Sequence, residues 1–229
     1  MLLGVNATGS TGNSYFIKTD NGEILLLDAG ISIADIKHGI NYDVGSIVAC
    51  LVTHKHLDHA KSVRDLKRMG IPVWQPYLSE YKRQKTCFGD FKVECFDVPH
   101  HDTPCRAFII TIGDETILYC TDFEFVPYDL SKKNITVMLI EMNYQSERIA
   151  DMDSHRQHTV LGHSEAKTTL EFLKHNSKRL HTVLFCHMSK SGSLNRDEIA
   201  QIVPDYIPAS CRWSWCIEGE TYNIDSIPF

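Results

Sequence analysis

His54, His56, Asp58 and His59 place three imidazoles and one carboxylate within the run His-Lys-His-Leu-Asp-His. Crowding imidazoles this closely is unfavourable unless something binds their lone pairs. Imidazole and carboxylate donors suit zinc, and also manganese or iron. The segment before the run, 47–52, is short and apolar and reads as a buried strand, while 60–69 has helical spacing. The four polar residues therefore fall in a strand-to-helix turn, where side chains can converge on one point. A solvated histidine-rich loop is the plainer alternative, but later segments supply matching parts in order.

Those parts need elements to position them. Apolar runs at 2–6, 14–18 and 23–27 read as strands, and Asn21-Gly22 in the break between the last two is a hairpin signal. Further strands are expected at 72–74, 91–98, 107–112, 116–119, 136–140 and 182–185, with an alternating tail at 213–224. Helical spacing covers 31–40 and 164–175. Asn195 with Glu198 three residues on fits a helix start running through Ile202. No linker, low-complexity stretch or solenoid-length repeat interrupts this order. With 229 residues, 43% of them hydrophobic, the chain suffices for one layered α/β domain over 1–229, sheet on sheet with helices outside. Periodicity alone leaves α/β and α+β open.

The formal charge is −6, without the broad basic excess of a protein that grips long nucleic acid. Lys82, Arg83 and Lys85 form the densest basic cluster and read first as a solvated helix or loop face, with a phosphate-contacting edge as the alternative. No apolar run is long enough to span a membrane. The start, Met1-Leu2-Leu3-Gly4-Val5, has neither the basic residues nor the apolar stretch of a signal peptide, so a cytoplasmic location is expected. The eight cysteines contain no Cys-x-x-Cys pair, and free thiols are the expectation, with a Cys211–Cys216 bridge the alternative.

His-x-His-x-Asp-His after a buried strand resembles the metal-binding motif of the metallo-β-lactamase fold superfamily. The likeness continues through Gly9-Ser10-Thr11-Gly12-Asn13-Ser14 and Leu27-Asp28-Ala29-Gly30. Later, His101-Asp102-Thr103-Pro104, Thr121-Asp122, Ile140-Glu141-Met142-Asn143-Tyr144, Gly162-His163-Ser164 and Cys186-His187-Met188-Ser189 resemble its YycJ/WalJ-like and RNase Z-like phosphodiesterase branch. The resemblance implies an αββα sandwich and two divalent metal ions, zinc foremost with manganese as the alternative. It implies His54, His56 and His101 on one metal, Asp58, His59 and His187 on the other, and Asp122 bridging. His100 is the rival to His101 and otherwise a flanking residue that touches substrate. Asp28, at a strand end, is expected to accept from a ligating histidine and hold the loop.

The same resemblance makes His163 and Asp58 the catalytic candidates. His163, at the mouth of a helix whose N-terminus would favour an anion, could protonate a leaving oxygen. Ser189 and Ser191, in a small polar loop beside His187, are possible phosphate contacts, and His155 and His158 could line the cleft. Two cations roughly 3.5–4 Å apart can acidify a water and steady both attacking and leaving oxygens. The reaction expected first is hydrolysis of a phosphodiester, in a cyclic nucleotide or a short nucleic-acid end. The alternative is hydrolysis of a carbonyl substrate, a lactam, lactone or thioester, on the same metals. A non-enzymatic metal-binding module is the third reading. Related enzymes dimerise, so a homodimer is expected.

Overall fold

The computed structural model describes residues 1–149, 161–188 and 193–226. Its strands fall into two sheets. The first runs β13-β1-β2-β3-β4-β5, with β1 Leu2–Ala7, β2 Ser14–Lys18, β3 Ile24–Leu27, β4 Ile47–Leu51, β5 Val73–Trp74 and β13 Thr221–Asn223. The second runs β12-β11-β10-β9-β8-β7-β6, with β6 Arg83–Phe88, β7 Phe91–Val98, β8 Cys105–Ile112, β9 Glu115–Cys120, β10 Val137–Glu141, β11 Thr182–Cys186 and β12 Arg212–Trp215. The alternating tail thus serves both sheets.

Strand periodicity builds the layers. Leu25 and Leu27 of β3 meet Ile117, Tyr119, Val137 and Leu139 between the sheets. Ile24 and Leu26 point the other way, onto α1 Ile33–Gly39 and α3 Val63–Arg68 through Ile36 and Leu66. After the short α4 Ser146–Ile149, on the far sheet, Leu118, Met138, Ile140 and Phe185 face Leu170 and Leu173 of α5 Ala166–Asn176 and Ile199 of α6 Arg196–Ile202. The result is helix, sheet, sheet, helix, as the resemblance implied. Each buried aliphatic side chain contributes about 1.5–3 kcal/mol. A one-residue slip of β3 would exchange its two apolar faces, so register is set by packing on both sides.

Local chemistry fixes the element ends. Ser32 caps α1 by accepting from Asp35 N at 3.1 Å, and Asn195 caps α6 by accepting from Asp197 N and Glu198 N. The expected 60–69 helix instead starts early and breaks: α2 Leu57–Ala60 already contains Asp58 and His59, and α3 follows. The break is at Ser62, whose hydroxyl donates to Ile31 O at 2.6 Å instead of facing solvent.

The basic run is part loop and part strand, with Lys82 in the bend before β6. Arg83 and Lys85 lie in β6, an edge strand paired antiparallel to β7, where Lys85 and Lys133 share Glu94. The polar alternation Arg83, Lys85, Cys87 was the signal for this strand. All eight cysteines are free thiols. Among the described residues no helix is long and apolar enough to cross a membrane.

Strands β9 to β12 are mutually parallel, as are β3 to β5, while antiparallel pairs complete both sheets. Asp28, His54, His100, Asp122, Glu141 and His187 therefore all arise at carboxyl ends of strands, the end at which layered α/β folds collect ligands.

Candidate metal centre

Asp28, Asp122 and His187, which follow β3, β9 and β11, all have left-handed backbones, with φ of 58°, 52° and 49°. Such a conformation costs a non-glycine residue about 1–2 kcal/mol. Here it turns the side chain back across the sandwich rim at the moment the strand ends. Strain gathered in this way marks a site that the surrounding packing enforces. Gly30 serves the same end: a Cβ there would lie 1.6 Å from the Asp58 carbonyl carbon's oxygen, so only glycine lets the Asp28 turn pack against the histidine-rich run.

The potential ligand atoms of His54, His56 and His100 lie within 4.8 Å of one another. So do those of Asp58, His59 and His187, of His54, His59 and Asp122, and of Asp122, His163 and His187. The segments expected to converge do so, with one correction. The imidazole beside His54 and His56 is His100, not His101. His100 is buried two residues beyond buried Val98, continuing that face of β7, whereas His101 is exposed, with φ 44°. His101 packs instead on Gly162, where an added Cβ would lie 2.0 Å from its Nε2. Strand alternation past Val98 is the signal for His100, whereas the resemblance of His101-Asp102-Thr103-Pro104 points to its neighbour.

Hydrogen bonds orient the rings. His100 Nδ1 donates to Gly162 O at 2.8 Å, and His187 Nδ1 to Glu141 Oε1 at 2.9 Å. The Nε2 atoms of both are buried with no hydrogen-bond partner among the described residues. Lone pairs aimed inward from fixed rings fit a cation, and a carbonyl or carboxylate on the opposite ring nitrogen is the usual partner of a ligating imidazole. Asp28 lies fully buried beneath the histidine-rich run. It accepts from His59 Nδ1 at 2.7 Å, Thr53 N at 2.8 Å and Tyr119 OH at 2.6 Å. Asn13 Nδ2 lies 3.0 Å from His59 Nε2.

Glu141 is the group whose role was not read from the sequence. It is fully buried and joins His163 Nδ1 at 2.8 Å to His187 Nδ1, while Asn143 Nδ2 and Phe123 N donate to it. Its position at the end of a five-residue apolar strand was the available signal, since a carboxylate there must find donors. The helix start near His163 also differs from expectation. α5 begins at Ala166, and Glu165 already accepts from Thr168 N at 2.9 Å. That amide is spent on the protein's own carboxylate instead of standing open to an anion.

Electrostatics divide the cluster. Burial, with His59 as neighbour, pushes the His54 imidazole far below its usual value, and burial also lowers His56 and His100. These rings are neutral, the form that binds metal. Burial opposes ionisation of Asp122, but His187, His59 and His163 outweigh it and hold the carboxyl well below its ordinary range. Burial likewise opposes charging of His163, yet the Glu141 and Asp122 carboxylates raise it to about 9. The centre thus offers neutral imidazoles on one side and an imidazolium–carboxylate network on the other. Ser189, Ser191, His155 and His158 lie outside the described residues.

Comparison with known proteins agrees with this geometry. Over 168 aligned residues the chain is 29% identical to the exodeoxyribonuclease WalJ of Streptococcus pneumoniae, a match covering 62% of this chain and 62% of that protein. The chain thus spans less than two thirds of that relative's length. Its fold is similar to the metallo-beta-lactamase fold protein YhfI of Bacillus subtilis, with TM-score 0.70, 17% identity and 96% and 98% of the two chains covered. It is also similar to the short form of human tRNase Z, with TM-score 0.66, 14% identity and 99% and 100% covered. The model of the metallo-beta-lactamase superfamily matches residues 7–187, from the first strand to the last of the clustered histidines. The chain belongs to the metallo-beta-lactamase superfamily.

Proposed function

We propose that this chain is a metal-dependent phosphodiesterase that acts on a nucleotide substrate, a short nucleic-acid end or a cyclic nucleotide. The observation that carries the reading is His163, held between the Glu141 and Asp122 carboxylates at 2.8 Å and 3.4 Å beside the clustered ligands. His54, His56 and His100 would hold one divalent cation, and Asp58, His59 and His187 a second, with Asp122 shared. Zinc suits this donor set, with manganese the alternative. Such ions, when bound, would acidify a water and neutralise charge developing on phosphoryl oxygens.

The remaining chemistry falls to the protein. In the metal-free protein Glu141 and Asp122 favour a proton on His163, and this imidazolium is placed to give it to a leaving oxygen. His163 is only 16% exposed, so its charge is weakly screened where an anionic transition state would form. Asp28 holds His59, and Gly162 O holds His100, which limits rearrangement when a substrate arrives. WalJ's designation as an exodeoxyribonuclease supports the nucleic-acid end.

The test is a panel. Metal-loaded protein should cleave bis(p-nitrophenyl) phosphate, and either single-stranded oligonucleotides or cyclic nucleotides, with activity lost on chelation and restored by zinc or manganese. Inactivity on all of them with metals bound would overturn the reading. A second measurement checks the ligand assignment. His100→Ala should weaken metal binding at least tenfold to a hundredfold in a competitive chelator titration. His101→Ala should leave that affinity near the wild-type value, and the reverse pattern would restore His101 as ligand.

A further inference from the structure

Beside the metal centre lies a cavity of about 420 Å³, whose lining includes His100, Lys82, Asp97 and Arg106. His100 belongs to both places. Thr103, also in the lining, has its hydroxyl 3.3 Å from His56 Nε2. Arg106, the second residue of β8, is anchored to the centre through its backbone, since its N donates to Thr53 O at 3.0 Å, next to His54.

The Arg106 side chain is only 5% exposed. Its Nη1 donates to the Cys105 carbonyl at 3.2 Å and its Nη2 to the Ser79 carbonyl at 3.3 Å. Its Nε is buried with no hydrogen-bond partner, and no carboxylate pairs with it among the described residues. Asp97, its cross-strand neighbour, is taken by Lys82 at 3.3 Å and by the Tyr128 hydroxyl. A buried cation without a counter-charge is costly unless a ligand supplies the anion. The cavity also bears Glu80 and Asp102, but both are exposed. Water and salt screen those charges strongly and the buried guanidinium weakly. Arg106 is therefore the least screened cation of the cavity wall. Each Nη uses one of its two N–H groups on a carbonyl, and the second N–H of each leaves a planar pair of donors that suits two oxygens of one phosphate.

We propose that Arg106 binds a second phosphate of the substrate, the one adjacent to the scissile group, so that the preferred substrate is an oligonucleotide end and not a cyclic mononucleotide. This rests on the phosphodiesterase reading.

The experiment uses metal-loaded wild-type protein and three substrates: a dinucleoside monophosphate, and the same compound carrying an added terminal 5′-phosphate or 3′-phosphate. One phosphorylated form should have a KM about tenfold lower than the parent. Arg106→Met should collapse that ratio towards one, and Arg106→Lys, which keeps charge but not the fork, should retain part of it. If Arg106→Met does not fold, the wild-type ratio and Arg106→Lys decide. Equal KM values across all three wild-type substrates would overturn the subsite. So would a ratio that survives in the variants, the pattern of a guanidinium that only fastens the Ser79 segment. If wild-type protein cleaves none of the three and no other phosphodiester, the phosphodiesterase reading itself fails.

Discussion

Asp122→Asn is expected to lower kcat/KM on a phosphodiester by about a thousandfold or more, roughly 4 kcal/mol of transition-state stabilisation. It is also expected to reduce the bound metal per chain. Asparagine keeps the shape and the left-handed turn but removes the negative charge. Asp122 Oδ2 stands 2.9 Å from His59 Nε2 and 3.7 Å from His187 Nε2, and Oδ1 stands 3.4 Å from His163 Nδ1. Loss of that charge therefore weakens its contacts with His59, His187 and His163 at once. Metal analysis of the purified variant separates two effects. A loss of metal with the fold intact supports the shared-ligand role. Full metal content with near-wild-type kcat/KM would remove Asp122 from the centre.

His163→Ala is expected to cost about 10²–10⁴-fold in kcat on a phosphodiester, the range of a positioned proton donor. A carbonyl substrate, which brings no phosphoryl charge to the site, should lose little. Equal loss on both would reduce His163 to a brace for Glu141. The metal-free protein offers an independent readout. Burial disfavours the charged ring, but Glu141 and Asp122 prevail and raise His163 from 6.5 to about 9. The folded state then holds this proton more tightly than the unfolded chain. Its stabilisation is complete below the unfolded value, declines as pH rises, and is gone above about 9. Chemical denaturation of the metal-free protein between these limits should show that decline, and His163→Ala should remove its share.

The two variants test different layers of one device. In the proposed arrangement Asp122 acts on whatever binds the imidazoles. His163 acts on the proton that the Glu141 network retains. Glu141 belongs to both because it touches His163 and His187 through the same oxygen. Its burial makes that coupling strong, since the carboxylate can be satisfied only by the donors around it.

Much of this was legible before any fold was known. The run His54, His56, Asp58, His59 declared its chemistry because metal-binding residue types seldom crowd without a ligand. Strands such as 14–18, 91–98 and 182–185 followed from apolar runs and turn residues, because period and punctuation are local properties. The caps at Ser32 and Asn195 are local as well.

Other features depended on distant parts of the chain. The choice between His100 and His101 turned on how β7 continues past Val98 and where Gly162 comes to rest, 62 residues later. Glu141 looked like one more polar residue at a strand end until β10 and β11 paired and brought His163 and His187 to it. β6 hid because an edge strand with one solvated face alternates without an apolar signature. Arg106 shows the limit most clearly. Sequence makes it an arginine in a strand, and only the packing of Ser79 and the pairing of Asp97 with Lys82 leave it buried without a counter-charge among the described residues. The chain's own order therefore determined the layered architecture and the ligand types, which rest on short-range periodicity and side-chain chemistry. The tertiary structure decided which atoms meet and which charges stay unpaired, because those depend on contacts between segments whose separation the sequence does not encode locally.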